Sequence, residues 1–187
     1  LGGSLVANNS SSNGNDKSNV LVEGWGSCEL HKCELNGSVG GNGLSVTKGG
    51  HATADGCCIS NNHGGNIVLS GAGGGAGCVC SDCVLDGRSD GDGLLVMDSP
   101  CTAHITNCRI SNNLCVGVQV VGGNAVLTGC KIQGSKQALG ILVCGRSAVA
   151  AASACVISRN HQTNVCVQER GVLTLKDCQI GTPPTQW

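Results

Sequence analysis

The chain has 187 residues, of which 31 are Gly and 15 are Cys, while Phe and Tyr are absent and Trp occurs twice. Aromatic rings supply the largest single burials in ordinary globular cores, so this composition argues against such a core and predicts an interior of slim, stackable side chains. A formal net charge of -1 with no basic block excludes a nucleic-acid footprint. No apolar run reaches the roughly 18 residues of a membrane span.

A tripeptide of the form Cys-x-Ile or Cys-x-Leu recurs along the chain. Its cysteines are 24, 26, 25, 22, 25 and 23 residues apart, which is the period of a solenoid. An eighth unit is predicted at the N-terminal end, where Ser4 to Asn9 matches Cys108 to Asn113 with Ser in place of Cys. The seven cysteines that begin the tripeptides are Cys33, Cys57, Cys83, Cys108, Cys130, Cys155 and Cys178.

Each repeat is predicted to contain three short strands. The first follows the repeat cysteine, the second is a β-branched tetrad such as Gly140 to Val143, and the third is an alternating segment such as Ala125 to Leu127. A leucine-rich repeat would need a helix where the tetrads and their turn pairs stand, so that alternative is rejected. The sequence predicts an all-β, right-handed parallel β-helix solenoid of about eight coils, each of roughly 24 residues with three strands.

Through its Cys-x-Ile-x-x-Asn and Gly-Gly motifs, the sequence resembles members of the pectin-lyase-like β-helix superfamily over nearly its whole length. In style they are most similar to the β-helix repeats of F-box substrate adaptors and related intracellular scaffold proteins. The superfamily includes polysaccharide lyases, hydrolases, epimerases, adhesins and non-enzymatic scaffolds, so the resemblance implies a fold and leaves the function open. We expect a repeat domain over residues 1–182, as a segment of a longer protein, and a tail or linker over 183–187.

The repeat cysteines are predicted to form one inward column, in which Cys acts as a small hydrophobe. An odd column of seven cannot pair completely, and parallel stacking gives poor disulfide torsions, which favours reduced thiols. We therefore expect an intracellular, reducing compartment. We also expect a left-handed turn backbone, with amides that bond along the axis, at Asn9, Asn62, Asn113 and Asn160.

Two groups of residues invite a metal interpretation. The spacing of Cys78, Cys80 and Cys83 resembles that of a zinc site. In the repeat register, however, the first two take the inward positions of Ala103 and Ile105, so packing in the core is favoured over metal binding. An Asp-rich stretch could bind calcium through its oxygens, although Asp and Gly also alternate in ordinary turns. We expect no metal and no cofactor. The stretch contains Asp82, Asp86, Asp90, Asp92 and Asp98.

Three charged residues on consecutive coils form a candidate catalytic set. Asp86, Arg109 and Lys131 are all predicted to point outward from the first strands. In polysaccharide lyases of the superfamily a basic residue takes a proton beside an acidic, calcium-supported cleft, so the resemblance implies Arg109 or Lys131 as base and Asp86 as a metal or substrate ligand. The alternative is a solvated face of stacked opposite charges.

The outward positions of the second strands predict an apolar stripe. The other two faces are polar, and a stripe of this kind marks an interface or is covered by another part of the same chain. The preferred interpretation is a non-enzymatic scaffold that binds a protein partner, or flanking parts of the same chain, through this face; a small-molecule ligand is not indicated. The alternative is a carbohydrate-active lyase, hydrolase or epimerase. The stripe consists of Val68, Leu95, Met97, Val121, Leu142, Cys144 and Cys166.

Overall fold

A computed structural model describes residues 2–71, 74–87 and 91–181, and within these ranges the chain forms 23 strands and no helix. Every strand pairs in parallel with its equivalent in the next coil, so the strands assemble into three sheets wound around one bore. Two sheets contain eight strands and the third contains seven. The predicted all-β parallel solenoid is confirmed. Its described coils end at Gly181, so the predicted boundary at residue 182 lies outside the described residues.

Sheet 1 collects the first strands, those that follow the repeat cysteines. It contains β2 (Ser11–Asn13), β5 (Glu34–Asn36), β8 (Cys58–Ser60), β11 (Val84–Asp86), β14 (Arg109–Ser111), β17 (Lys131–Gln133), β20 (Val156–Ser158) and β23 (Gln179–Ile180).

Sheet 2 collects the second strands. It contains β3 (Val20–Val22), β6 (Asn42–Thr47), β9 (Gly65–Ser70), β12 (Asp92–Met97), β15 (Val118–Val120), β18 (Ile141–Cys144) and β21 (Val165–Gln168).

Sheet 3 collects the strands that the sequence analysis counted third in each repeat. In chain order each coil begins with its sheet 3 strand, so coil 1 consists of β1 to β3 and coil 5 of β13 to β15. Sheet 3 contains β1 (Ser4–Asn8), β4 (Ser27–His31), β7 (His51–Asp55), β10 (Gly77–Ser81), β13 (Thr102–Thr106), β16 (Gly123–Thr128), β19 (Ala148–Ser153) and β22 (Val172–Lys176).

The predicted eighth repeat unit is wrong in its register. Ser4 to Asn8 pairs with Ser27 to His31 in sheet 3, whereas Ser12 pairs with Leu35 in sheet 1. Ser10 therefore takes the position of the repeat cysteine in coil 1, because it immediately precedes the sheet 1 strand as Cys33 does. Ser fits a strand, a turn and a cysteine position equally well, so the repeat pattern does not distinguish Ser4 from Ser10.

The corner between sheets 3 and 1 has the same backbone in every coil. One residue with left-handed φ, between 47° and 64°, ends the sheet 3 strand, and it is followed by the repeat cysteine, or by Ser10 in coil 1. The Cys57 thiol then donates to the Leu30 carbonyl of the coil below at 3.4 Å and accepts from the Cys33 backbone N–H at 3.4 Å. The left-handed residues are Asn9, Lys32, Gly56, Asp82, Asn107, Gly129, Ala154 and Asp177.

Buried amides hold the corner between sheets 1 and 2. Asn62 donates to the Leu35 carbonyl at 3.0 Å and to Asn66 Oδ1 at 3.2 Å, while its own oxygen accepts from Ser38 N at 3.0 Å and Asn19 Nδ2 at 2.8 Å. All four of its hydrogen-bonding positions are used, which is what a fully buried amide requires. The predicted bonding of amides along the axis is confirmed here.

The predicted left-handed backbone does not lie at these buried amides. The positive φ values belong to the residues just before them, Asn61 at 54° and Asn112 at 57°. Asn9 is left-handed, but it lies at the other corner, as its sheet 3 strand requires.

Asp92, at the start of β12, is the one carboxylate among the buried polar residues of the described chain. It is 9% exposed and accepts a hydrogen bond from the Val116 backbone N–H at 2.8 Å. Burial raises the pKa of Asp92 to about 6, and the hydrogen bond opposes this shift only in part. At neutral pH the protein therefore holds a poorly solvated charge next to sheet 2.

We predict that Gly140→Ala destabilises the fold. A Cβ at this position would lie 2.5 Å from Asn160 Nδ2 and 2.5 Å from the Asn164 carbonyl, so the amide corner would have to move. The expected loss is about 2 kcal/mol, typical of overpacking. Urea unfolding of this variant and of Gly3→Ala, where a Cβ meets no atom within 4 Å, measures it; equal stabilities would contradict the packing described here.

We predict that Asp92→Asn stabilises the protein at pH 7. The folded-state pKa of Asp92, about 6, lies above the ordinary value of 3.8, so its favourable contribution is complete below pH 3.8 and is lost as pH rises through 6. The Asn oxygen can still accept from Val116 N–H, and the expected gain at pH 7 is up to roughly 3 kcal/mol. Denaturant unfolding at pH 4 and pH 7 tests this: the gain should shrink at pH 4, and a pH-independent difference would refute the assignment.

Candidate partner-binding face and polar groove

The outer face of sheet 2 is set by strict alternation along its strands. Leu94, Val96, Val118 and Val120 are fully buried in the bore, so the residues between them point outward. Strand pairing stacks these outward residues into two columns. The first column, from coil 3 to coil 7, consists of Val68, Leu95, Gln119, Leu142 and Cys166.

The second outward column lies two residues further along each strand. Met97 pairs with Ser70, and Cys144 pairs with Gln168. Val121 follows β15 directly, and its backbone N–H bonds to the Val96 carbonyl at 2.9 Å, which keeps it in the ladder. The second column over the same coils is Ser70, Met97, Val121, Cys144 and Gln168.

The stripe residues differ in how far they project. Val121 is 43% exposed and lies at the centre of the face, whereas Val68 is only 7% exposed and forms part of its floor. Leu95, Met97 and Leu142 are half-buried. All seven stripe residues therefore take the outward register that the sequence predicted, and together they form a low apolar surface that six of them share with solvent.

Sheet 3 also exposes apolar side chains, which the sequence analysis did not single out. Val79 and Val126 are exposed on its outer face, but His104 lies between them in the same column. Thr53 precedes Val79 in that column. Polar groups interrupt this column in coils 3 and 5, although the exposed Val149 and Val172 pair with each other in the neighbouring column of coils 7 and 8. Alternation within the strands was the available signal, and it was weaker here because Thr, His and Val share the outward positions.

A polar groove of about 550 Å³ lies on the outer side of sheet 1. Asp86 Oδ1 accepts from Asn112 Nδ2 at 2.9 Å, and Asp86 Oδ2 lies 4.0 Å from the Arg109 guanidinium. These contacts hold the Asp86 carboxylate in the groove, next to the half-exposed Arg109 side chain. The walls are Cys58, Ser60, Asn61, Val84, Asp86, Arg109, Asn112 and Lys136.

The candidate catalytic set is brought together only in part. Asp86 and Arg109 meet in the groove, whereas Lys131 pairs with Arg109 in register but is not a lining residue. Lys136, from the turn after β17, supplies the second cation instead. Sequence reasoning missed Lys136 because a turn of variable length has no fixed place in the repeat.

The candidate metal ligands are not clustered within the described parts of the chain. No group of three or more His, Cys, Asp or Glu side chains is placed to hold an ion there. Of the Asp-rich stretch, Asp90 lies outside the described residues, while Asp86 is in the groove and Asp92 is buried. Cys78 and Cys80 pair in register with Ala103 and Ile105 and are buried, as the packing interpretation expected.

Ten of the fifteen cysteines are buried. Burial raises the pKa of Cys28 to about 11, and a hydrogen bond with Cys83 followed by burial raises the pKa of Cys57 further. Thiols with such raised pKa values stay protonated at neutral pH, so they pack as small apolar groups and are poor nucleophiles. The most accessible thiol is Cys58, on the wall of the groove.

Some solved structures are similar to this chain at low sequence identity. A glycoside hydrolase structure is similar at 12% identity with a TM-score of 0.38; the match covers 90% of this chain but only 39% of that one. A trypsin-treated form of QnrB1, a plasmid-mediated fluoroquinolone resistance protein, is similar at 15% identity with a TM-score of 0.33, over 95% of this chain and 91% of that one. A search of curated proteins finds no match.

Within residues 2–71, 74–87 and 91–181, no helix is long and apolar enough to cross a membrane. A family model described as the right-handed β-helix region matches residues 2–151, and the chain therefore belongs to the right-handed β-helix family.

Proposed function

We propose that this chain is a non-enzymatic scaffold that binds a protein partner through the outer face of sheet 2. The observation that carries this proposal is the apolar stripe, whose members stack on consecutive coils from Val68 to Cys166. An apolar surface of this kind, interrupted only at Gln119 in its first column, is typical of an interaction site on a rigid face. Each square ångström of apolar surface that a partner covers contributes roughly 25 cal/mol.

The solenoid suits this task because it fixes the positions of the stripe residues. The strands of sheet 2 are paired along their length, and the amide corner at Asn62 ties them to sheet 1. Little conformational entropy is then lost when a partner binds, which favours affinity for a given buried area. The strongest contribution is expected at Val121, the most exposed stripe residue.

A reducing, intracellular compartment also belongs to this proposal. Its support is the column of repeat cysteines, whose thiols donate to backbone carbonyls of the corner, as Cys83 does to Ala54 at 3.4 Å. Oxidation would remove that donor from a buried site. A protein that relies on such a column is therefore best suited to a compartment that keeps thiols reduced.

Photo-crosslinking tests the partner-binding face. A benzophenone amino acid in place of Val121 should give a crosslinked protein adduct in cells that express the chain, because the group would lie against the partner. The matched control carries the same group in place of Thr128, which is exposed on sheet 3. Adducts from position 121 and not from 128, identified by mass spectrometry, support the proposal; equal yields, or none from 121, contradict it.

The polar groove supports a second candidate function, a carbohydrate-active site. Arg109 held beside Asp86 and Lys136 places two cations and one carboxylate along an open groove. Such a set suits an acidic sugar polymer, whose carboxylates the cations would bind. Against it, the groove has no aromatic wall on which a sugar ring could stack.

Turnover of uronate polymers separates the two functions. If the groove is catalytic, Arg109→Ala should lower kcat/KM at least 100-fold, while Lys131→Ala, outside the groove, should change it less than threefold. Lyase products are measured by absorbance of the unsaturated uronate. We expect no turnover above background for the unaltered protein, and an activity that Arg109→Ala abolishes would replace the scaffold proposal.

A further inference from the structure

The outer face of sheet 2 has a nearly symmetric pattern about coil 5. Along the first column the sequence of side chains is apolar, apolar, Gln119, apolar, apolar. Along the second it is polar, apolar, Val121, apolar, polar, with Ser70 and Gln168 at the ends. If the order of the coils is reversed, each apolar position of the face therefore falls on an apolar position and each polar position on a polar one. A surface with this property can bind a copy of itself related by a two-fold axis.

The net charge of the chain is antisymmetric along the solenoid: the two halves carry charges of opposite sign. Residues 1–98 contain ten carboxylates and four cationic side chains, a net charge of -6. Residues 99–187 contain two carboxylates and seven cationic side chains, a net charge of +5. The change of sign falls between coils 4 and 5, next to the centre of the symmetric face. Two copies that lie antiparallel bring the acidic half of each against the basic half of the other.

Charged residues also lie at the edge of the face itself, where Glu169 is beside Cys144 and Arg170 follows Glu169 in coil 7, and one pair is symmetric about coil 5. Asp98 follows Met97 in coil 4, and Arg146 follows Cys144 by two residues in coil 6. Both are exposed in the turn that leads from sheet 2 to sheet 3. They are equally distant from coil 5, one on each side. A two-fold axis through coil 5 and parallel to the strands would place each Asp98 near the Arg146 of the other copy.

We propose that the partner of the sheet 2 face is a second copy of this chain, bound antiparallel about a two-fold axis at Gln119. This inference rests on the proposed function, because it requires the same face to be an interface. The axis brings the two Gln119 amides together, where they can bond to each other, and packs each Val121 beside it. Leu95 then lies over Leu142 of the other copy, and Met97 over Cys144.

The area of this interface is modest. Five coils at a spacing of about 4.8 Å give a face roughly 20 Å long. Two such faces bury on the order of 1,000 Å² in total, at the low end of specific interfaces, which is typical of weak and concentration-dependent association. A parallel arrangement of the two copies would oppose acid to acid and base to base, which disfavours it on electrostatic grounds.

Charge reversal tests both the partner and the orientation. Asp98→Arg and Arg146→Asp should each weaken the dimer about tenfold, because each sets like charges opposite one another twice per dimer. The double variant should return to within about threefold of the unaltered protein. Arg is tolerated at position 98, where φ is 64°, since Arg159 and Arg170 have similar backbones at 57° and 67°. Lys131→Asp, on sheet 1, makes the same charge change away from the face and should have no effect.

Sedimentation velocity over 1–200 µM measures the dimer, whose mass would be twice 18.6 kDa. Rescue in the double variant supports the antiparallel dimer. A monomer at every concentration, or a dimer that neither reversal weakens, overturns it. In that case an adduct of Val121 with a different protein in the crosslinking experiment leaves the proposed function standing, whereas no adduct overturns both.

Discussion

The rest of this structure depends on parallel, in-register stacking of the coils. Leu85 pairs with Ile59 below it and with Ile110 above it, and the same correspondence holds along all three sheets. At a spacing of about 4.8 Å, every position of the repeat becomes a column of side chains. The bore is filled by columns of Ile, Leu, Val, Ala and Cys. The absence of Phe and Tyr from the chain agrees with a narrow bore of such slim side chains.

The corners convert that stacking into a defined outer surface. A left-handed residue and a cysteine thiol turn the chain from sheet 3 to sheet 1, and a satisfied amide such as Asn62 turns it from sheet 1 to sheet 2. The cysteine corner repeats on successive coils, and buried amides recur at the second corner as Asn62, Asn113 and Asn160 in coils 3, 5 and 7. Parallel strand pairing then places an outward residue of one coil directly above its equivalent in the coil before. Leu142 above Gln119 is therefore a property of the repeat rather than of local loop conformation. This is why a binding surface on such a protein can be deduced from a one-dimensional pattern.

The fold and the direction of the sheet 2 side chains could be predicted from the sequence because both follow from periodicity. Prediction failed where the period carries no information. Ser4 was placed where Ser10 belongs, since neither has the burial signature of Cys. The left-handed backbone was assigned to Asn62 instead of Asn61, because two consecutive asparagines fit the turn equally well. Lys136 was missed in the groove because its turn varies in length from coil to coil, so its side chain has no column to identify it.

The charged residues of the chain are distributed differently from its apolar columns. Asp86 and Arg109 neutralise each other across the boundary between coils 4 and 5, but Lys131 pairs in register with Arg109, and like charges in adjacent strands repel. From Ser99 to Gln168 the chain has no carboxylate that could offset them. A surface that meets its own reversed image needs two properties at once: each apolar position must face an apolar position, and each charge must face its opposite. Symmetry in hydrophobicity about coil 5 together with antisymmetry in charge satisfies both, and neither pattern alone would select a second copy over another partner.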